Sequence, residues 1–116
     1  MRNLLVLTIA LLASATAHAD QKIVDCNITS GDIAQITIRQ ASNGTLTAEL
    51  LTNHGSTESG GVIDATAWAK KDLNFNYGKG FNAGRLHFFQ ERHRWMFEEF
   101  SVNSDQASDT GNADCE

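Results

Sequence analysis

No proline occurs in the 116-residue chain, only two cysteines and one tyrosine are present, and the one long apolar run lies at the N-terminus. Two cysteines are too few for a disulfide-dense scaffold or a cysteine-built zinc cluster. Nine Lys and Arg against 14 Asp and Glu give a net negative charge that disfavours contact with a phosphate backbone, so nucleic acid is not an expected partner. The apolar run Asn3 to Ala17 falls short of the roughly 20 residues that a membrane-spanning helix needs.

That run follows Arg2 and ends in Ala17-His18-Ala19. This is the pattern of a secretory signal peptide over residues 1–19, with cleavage before Asp20. No cysteine follows it directly, which speaks against a lipid anchor. The expected product is a periplasmic or secreted single domain over residues 20–116. Within 20–97, eight Lys and Arg balance eight Asp and Glu. The net acidity therefore belongs to the last 19 residues, with Glu98, Glu99, Asp105, Asp109, Asp114 and Glu116.

Cys26 and Cys115 stand near the two ends of that domain, and an even pair in an exported chain predicts one disulfide. A Cys-x-x-Cys spacing is lacking, so the bridge is structural rather than redox-active. Its role would be to pin the acidic C-terminal tail, 104–116, to the first strand.

Between the cysteines the apolar residues alternate. Ala34, Ile36 and Ile38, then Leu46, Ala48 and Leu50, read as half-buried strands around Ser42-Asn43-Gly44. A two-residue turn there would set Ile38 opposite Glu49. A three-residue loop with Gly44 at positive φ pairs Ile38 with Ala48 and Ile36 with Leu50, keeping one face apolar, and is the expected register. Leu73, Phe75 and Tyr77 form another alternating run. In the segment 85–98, a turn centred on Glu91-Arg92 would pair Phe88 with Trp95 and Leu86 with Phe97, leaving Arg85 against Glu98, His87 against Met96 and Phe89 against Arg94.

Residues 53–61 are expected to be a polar loop and 104–114 an irregular tail without a large apolar side chain. Residues 62–71 fit either a strand or one short helix over 64–71 capped by Asp64; the surrounding periodicity tips the expectation to the strand. The predicted fold is all-β, an antiparallel meander of about six strands forming a small sandwich or barrel.

Signs of chemistry are thin, and no catalytic residue, metal site or cofactor is assigned. Gly78, Gly80 and Gly84 lead into a strand rather than the helix N-terminus a phosphate loop requires. His54, His87 and His93 have no ligand spacing, and residues 109–114 lack the alternating acids of a calcium loop. Ser56 and Ser59 lie near His54 without a nucleophile turn. Glu98 and Glu99 are neighbours on a strand and so face opposite ways.

The remaining signal is a cationic and aromatic cluster, Arg85, His87, Arg92, Arg94 and Trp95, residue types that dominate binding hot spots. The sequence is therefore read as a monomeric protein-binding module, of the kind that inhibits a secreted or host enzyme. A second reading makes Phe75, Tyr77, Phe88, Trp95 and Phe97 the lining of an apolar-ligand cavity.

Overall fold

The computed structural model describes residues 20–28, 31–78 and 83–116. The signal-peptide expectation for 1–19, and residues 79–82 of the glycine loop, lie outside these. The chain folds as two antiparallel sheets and one short helix. The first sheet has the order β4-β3-β2-β1-β9, from β1 (Asp20–Asn27), β2 (Ile33–Ala41), β3 (Leu46–Thr52), β4 (Thr57–Val62) and β9 (Asp114–Cys115). The second has the order β5-β6-β7-β8, from β5 (Asp72–Tyr77), β6 (Gly84–Glu91), β7 (Arg94–Ser101) and β8 (Ala107–Asn112). Helix α1 (Ala65–Lys70) links them on one side, and the step from β8 to β9 links them on the other.

The two inner faces close on each other because each is apolar. Val24, Ile33, Ile36, Ile38, Leu46, Ala48 and Leu50 from the first sheet meet Leu73, Phe75, Tyr77, Leu86, Phe88 and Phe97 from the second in one buried cluster. Ile33 and Ile36 both point inward although three residues apart. The bulge between Ile33 and Gln35 supplies the extra residue that brings both to one face.

Burial sets the first hairpin as expected: Ile36 pairs with Leu50 and Ile38 with Ala48, around a loop in which Gly44 has φ 91°. The second hairpin is shifted by two residues from the expected register. Phe88 pairs with Phe97, Leu86 with Glu99 and Gln90 with Trp95, while outside Arg85 pairs with Phe100, His87 with Glu98, Phe89 with Met96 and Glu91 with Arg94. The turn is Arg92-His93, with φ of 54° and 67°. Two positive φ values in a two-residue loop are the pattern whose twist matches the strands. Neither residue is Gly or Asn, so the usual sequence signature is missing.

Three further expectations are corrected. Residues 65–70 are helical, not a strand. Asp64 caps the helix by accepting from the Thr66 and Ala67 N–H groups at 3.1 and 3.2 Å, which satisfies donors that a helix start leaves free. Residues 57–62 pair with β3 instead of looping out. The C-terminal stretch forms β8 and β9 rather than an irregular tail. An edge strand is held by its backbone hydrogen bonds and needs no large apolar side chain, so composition alone did not reveal it.

Cys26 and Cys115 are bonded and face each other across the β1–β9 pair. Cys26 is fully buried, and the bond closes a segment of 89 positions. The crossing to β9 is fixed at its middle by the Ala113 N–H, which donates to the Trp95 carbonyl at 2.9 Å.

Two outcomes are expected in urea unfolding. Replacing both cysteines by alanine should lower stability by about 2–5 kcal/mol, and an unchanged midpoint would contradict the pinning role. Replacing Arg92 by Asn together with His93 by Gly should raise stability by about 1–2 kcal/mol, because left-handed backbone is costly for residues with a Cβ.

Candidate functional site

Side chains alternate along a strand, so the register that buries Phe88 and Phe97 sends their neighbours outward. The outer face of the second sheet carries Asp72 and Asn74 from β5, Arg85, His87 and Phe89 from β6, and Arg94, Met96, Glu98 and Phe100 from β7. Among the described residues no strand or helix stacks across it. Phe89, Met96 and Phe100 are half-buried there, each screened by its neighbours in the same sheet.

Those neighbours are organised. The Arg85 guanidinium lies 4.1 Å from the centre of the Phe100 ring, a cation–π arrangement, and donates to Asn74 Oδ1 at 2.7 Å. The His87 ring stacks on Phe89 at 4.3 Å between centres and 20° between planes. Its Nδ1 lies 2.8 Å from Glu98 Oε1 and its Nε2 2.5 Å from Asp72 Oδ1. His87 thus joins β5, β6 and β7 across their width.

The cationic and aromatic cluster read from the sequence is split by the fold. Arg85, His87 and Arg94 stand on the outer face. Arg92 sits in the exposed turn. Trp95 faces inward, half-buried, with its ring parallel to Phe88 at 4.4 Å and stacked on Trp68 at 6.1 Å. Asp72, Phe89, Met96 and Phe100 complete the outer patch; the sequence reading set Phe89 and Met96 on this face but gave them other partners, Phe89 against Arg94 and His87 against Met96, and it did not bring Asp72 or Phe100 to the face. A two-residue turn at Arg92-His93 sets Phe89 beside Met96 and Arg85 beside Phe100.

Glu98 and Glu99 face opposite ways, and the inward one has an unusual setting. Glu99 is 2% exposed. Its Oε1 accepts from the Asp32 N–H at 2.9 Å and from the Tyr77 hydroxyl at 3.0 Å; its Oε2 is buried without a partner. A Cβ on Gly31 would land on that oxygen, so only glycine fits, and its φ of 90° suits glycine as well. Burial pushes the Glu99 carboxyl above the usual carboxylate range, against the bonds from Asp32, Tyr77 and the Ile33 backbone, which pull it down. Burial, and then the Glu99 charge, push the Tyr77 hydroxyl well above its ordinary value. Glu99 is an interior tie between the sheets, closed to any ligand.

Elsewhere, Ser56 Oγ pairs with Thr52 Oγ1 at 2.7 Å and His54 is exposed in a turn, so no nucleophile and base meet there. Among the described residues no three His, Cys, Asp or Glu side chains gather as metal ligands, and no helix is long and apolar enough to cross a membrane. Phe75, Tyr77, Phe88 and Phe97, read above as a cavity lining, belong to the buried cluster, and Trp95 packs against it. No protein-family model matches the chain, and neither the curated proteins nor the solved structures yielded a match.

The Glu99 setting has a consequence for pH. A carboxyl whose folded pKa is raised stabilises the fold below its unfolded value, and that contribution is lost as pH rises through the folded value. Relative to Glu99→Gln, the wild-type protein should therefore lose stability from about pH 4 upward, by about 1.4 kcal/mol for each pH unit by which the folded value is raised. Urea midpoints of both proteins at pH 4, 5.5 and 7 check this; a constant difference between them would contradict it.

Proposed function

We propose that the chain is a small exported protein-binding module, an inhibitor of a secreted or host enzyme, and that it docks through the outer face of the four-stranded sheet. The observation that carries this reading is the half-buried set Phe89, Met96 and Phe100, interleaved with Arg85 and His87 on the outer sheet face. Aromatic, Met and Arg side chains are enriched at protein interfaces. A ring already stacked, Phe89, and a guanidinium already placed, that of Arg85, give up little conformational freedom on binding. The patch lies on the outer face of a sheet, which suits a partner protein better than an enclosed small molecule. Export is supported by the leader-like residues 1–19 and by the disulfide, a bond that persists in oxidising compartments.

Affinity capture from the protein's own secretory surroundings, followed by titration with the purified partner, tests the reading. Phe89→Ser and Phe100→Ser should each weaken binding about 30-fold or more, the scale of an interface hot spot. Arg92→Ala, in the turn, should change it less than about threefold. Circular dichroism confirms that each variant is folded. Equal binding by wild type and both phenylalanine variants would remove the face from consideration, and loss confined to Arg92→Ala would move the site to the hairpin tip.

A further inference from the structure

His87 occupies the middle of the outer face, with both of its ring nitrogens engaged. Both ring nitrogens lie within hydrogen-bond distance of a carboxylate oxygen, Nδ1 of Glu98 on β7 and Nε2 of Asp72 on β5. Carboxylates only accept, so each contact needs an N–H from the ring. An imidazolium has two; a neutral imidazole has one and presents a lone pair at its other nitrogen. The arrangement is complete only when His87 is protonated on both sides.

Among the described residues no donor is hydrogen-bonded to either ring nitrogen. Asn74, directly opposite on β5, accepts from Arg85 through its Oδ1, and its amide NH2 makes no hydrogen bond to the ring. Arg85 itself lies over Phe100. Met96 and Phe89 supply apolar surface, and Thr110 of β8 stands beyond Glu98. The charged groups that meet the ring are thus Asp72 and Glu98, with Arg85 two residues away on the same strand and turned aside.

We propose that His87 is the protonation switch of this face: carrying two ring protons it clamps β5 to β7, and on losing one it releases Asp72 and frees its ring from the fixed stack on Phe89. Asp72 is the partner released because its side chain is the more exposed, 55% against 36% for Glu98, so water replaces the lost bond there more readily. It is also the first residue of β5, an edge strand, whereas Glu98 is held in β7 between β6 and β8. The local charge passes from one net negative to two. Histidine is the side chain whose ordinary range places such a change between pH 5 and 8. The effect on docking rests on the function proposed above; the switch itself does not.

The test therefore has two arms. In the isolated, oxidised protein, ring nitrogen chemical shifts of His87 are followed by nuclear magnetic resonance from pH 5 to 8, together with the ring protons of Phe89. The expected result is a single transition in which both nitrogens carry protons at the acid end, Nε2 loses its proton, and the Phe89 signals follow the same curve. In Asp72→Asn the new amide can donate to the neutral ring, so Phe89 should stay in place throughout. A His87 ring with one proton over the whole range, or a Phe89 that ignores the titration, overturns the switch. In the second arm, affinity for a partner bound through this face should differ about threefold or more between pH 5.5 and 7.5 and be flat in His87→Gln. A flat wild-type profile beside a clear His87 transition would overturn the regulatory role while leaving the ring chemistry standing, and failure to find a partner leaves the first arm to decide.

Discussion

The pairing of β6 with β7 is the constraint on which the rest of this molecule hangs. One register places Phe88 beside Phe97 inside, Phe89 beside Met96 outside, and His87 beside Glu98. It also carries Glu99 into the interior opposite Leu86. A shift by two residues keeps every side chain on the same face but changes every partner. That shift would separate His87 from Glu98 and Arg85 from Phe100. The side-chain partnerships of the outer patch are therefore products of a two-residue turn formed by Arg92 and His93, residues that adopt positive φ only at a cost.

Three ties hold the sheets that this hairpin organises. The disulfide secures β9 to β1 at one side. Helix α1 packs Ala67 and Trp68 against the core at the other, with Lys71 Nζ 3.6 Å above the Trp68 ring. Glu99 reaches from β7 to the backbone of Asp32 ahead of β2. The first two are sources of stability on ordinary grounds, chain closure and apolar burial. The third sets two hydrogen bonds against the burial of a carboxyl with one unpartnered oxygen, so its worth falls as the group ionises.

Much of this was legible in the residues. Alternation located β2, β3, β5, β6 and β7, and the apolar face of the first hairpin chose its register correctly because Glu49 could not be buried. The same argument could not choose the register of the second hairpin, because registers two residues apart keep every side chain on the same face and both set apolar residues opposite one another inside. Backbone hydrogen bonds and a cap, not apolar periodicity, account for the other misses, β4, β8 and α1. For the candidate site, Arg85, His87 and Arg94 were found by residue type and Phe89 and Met96 by alternation along their strands, whereas their partners, and the addition of Phe100 and Asp72, came only once the strands were in register. Trp95 had the right chemistry and the wrong side of the sheet.

By itself the sequence determined the all-β class, the disulfide partners and the inward and outward faces of the alternating strands, since each follows from composition or from a period of two. Tertiary structure alone decided which residues stand beside one another across strands. Register depends on the sum of turn geometry, bulges and packing between two sheets, and those energies are settled only when both inner faces close together.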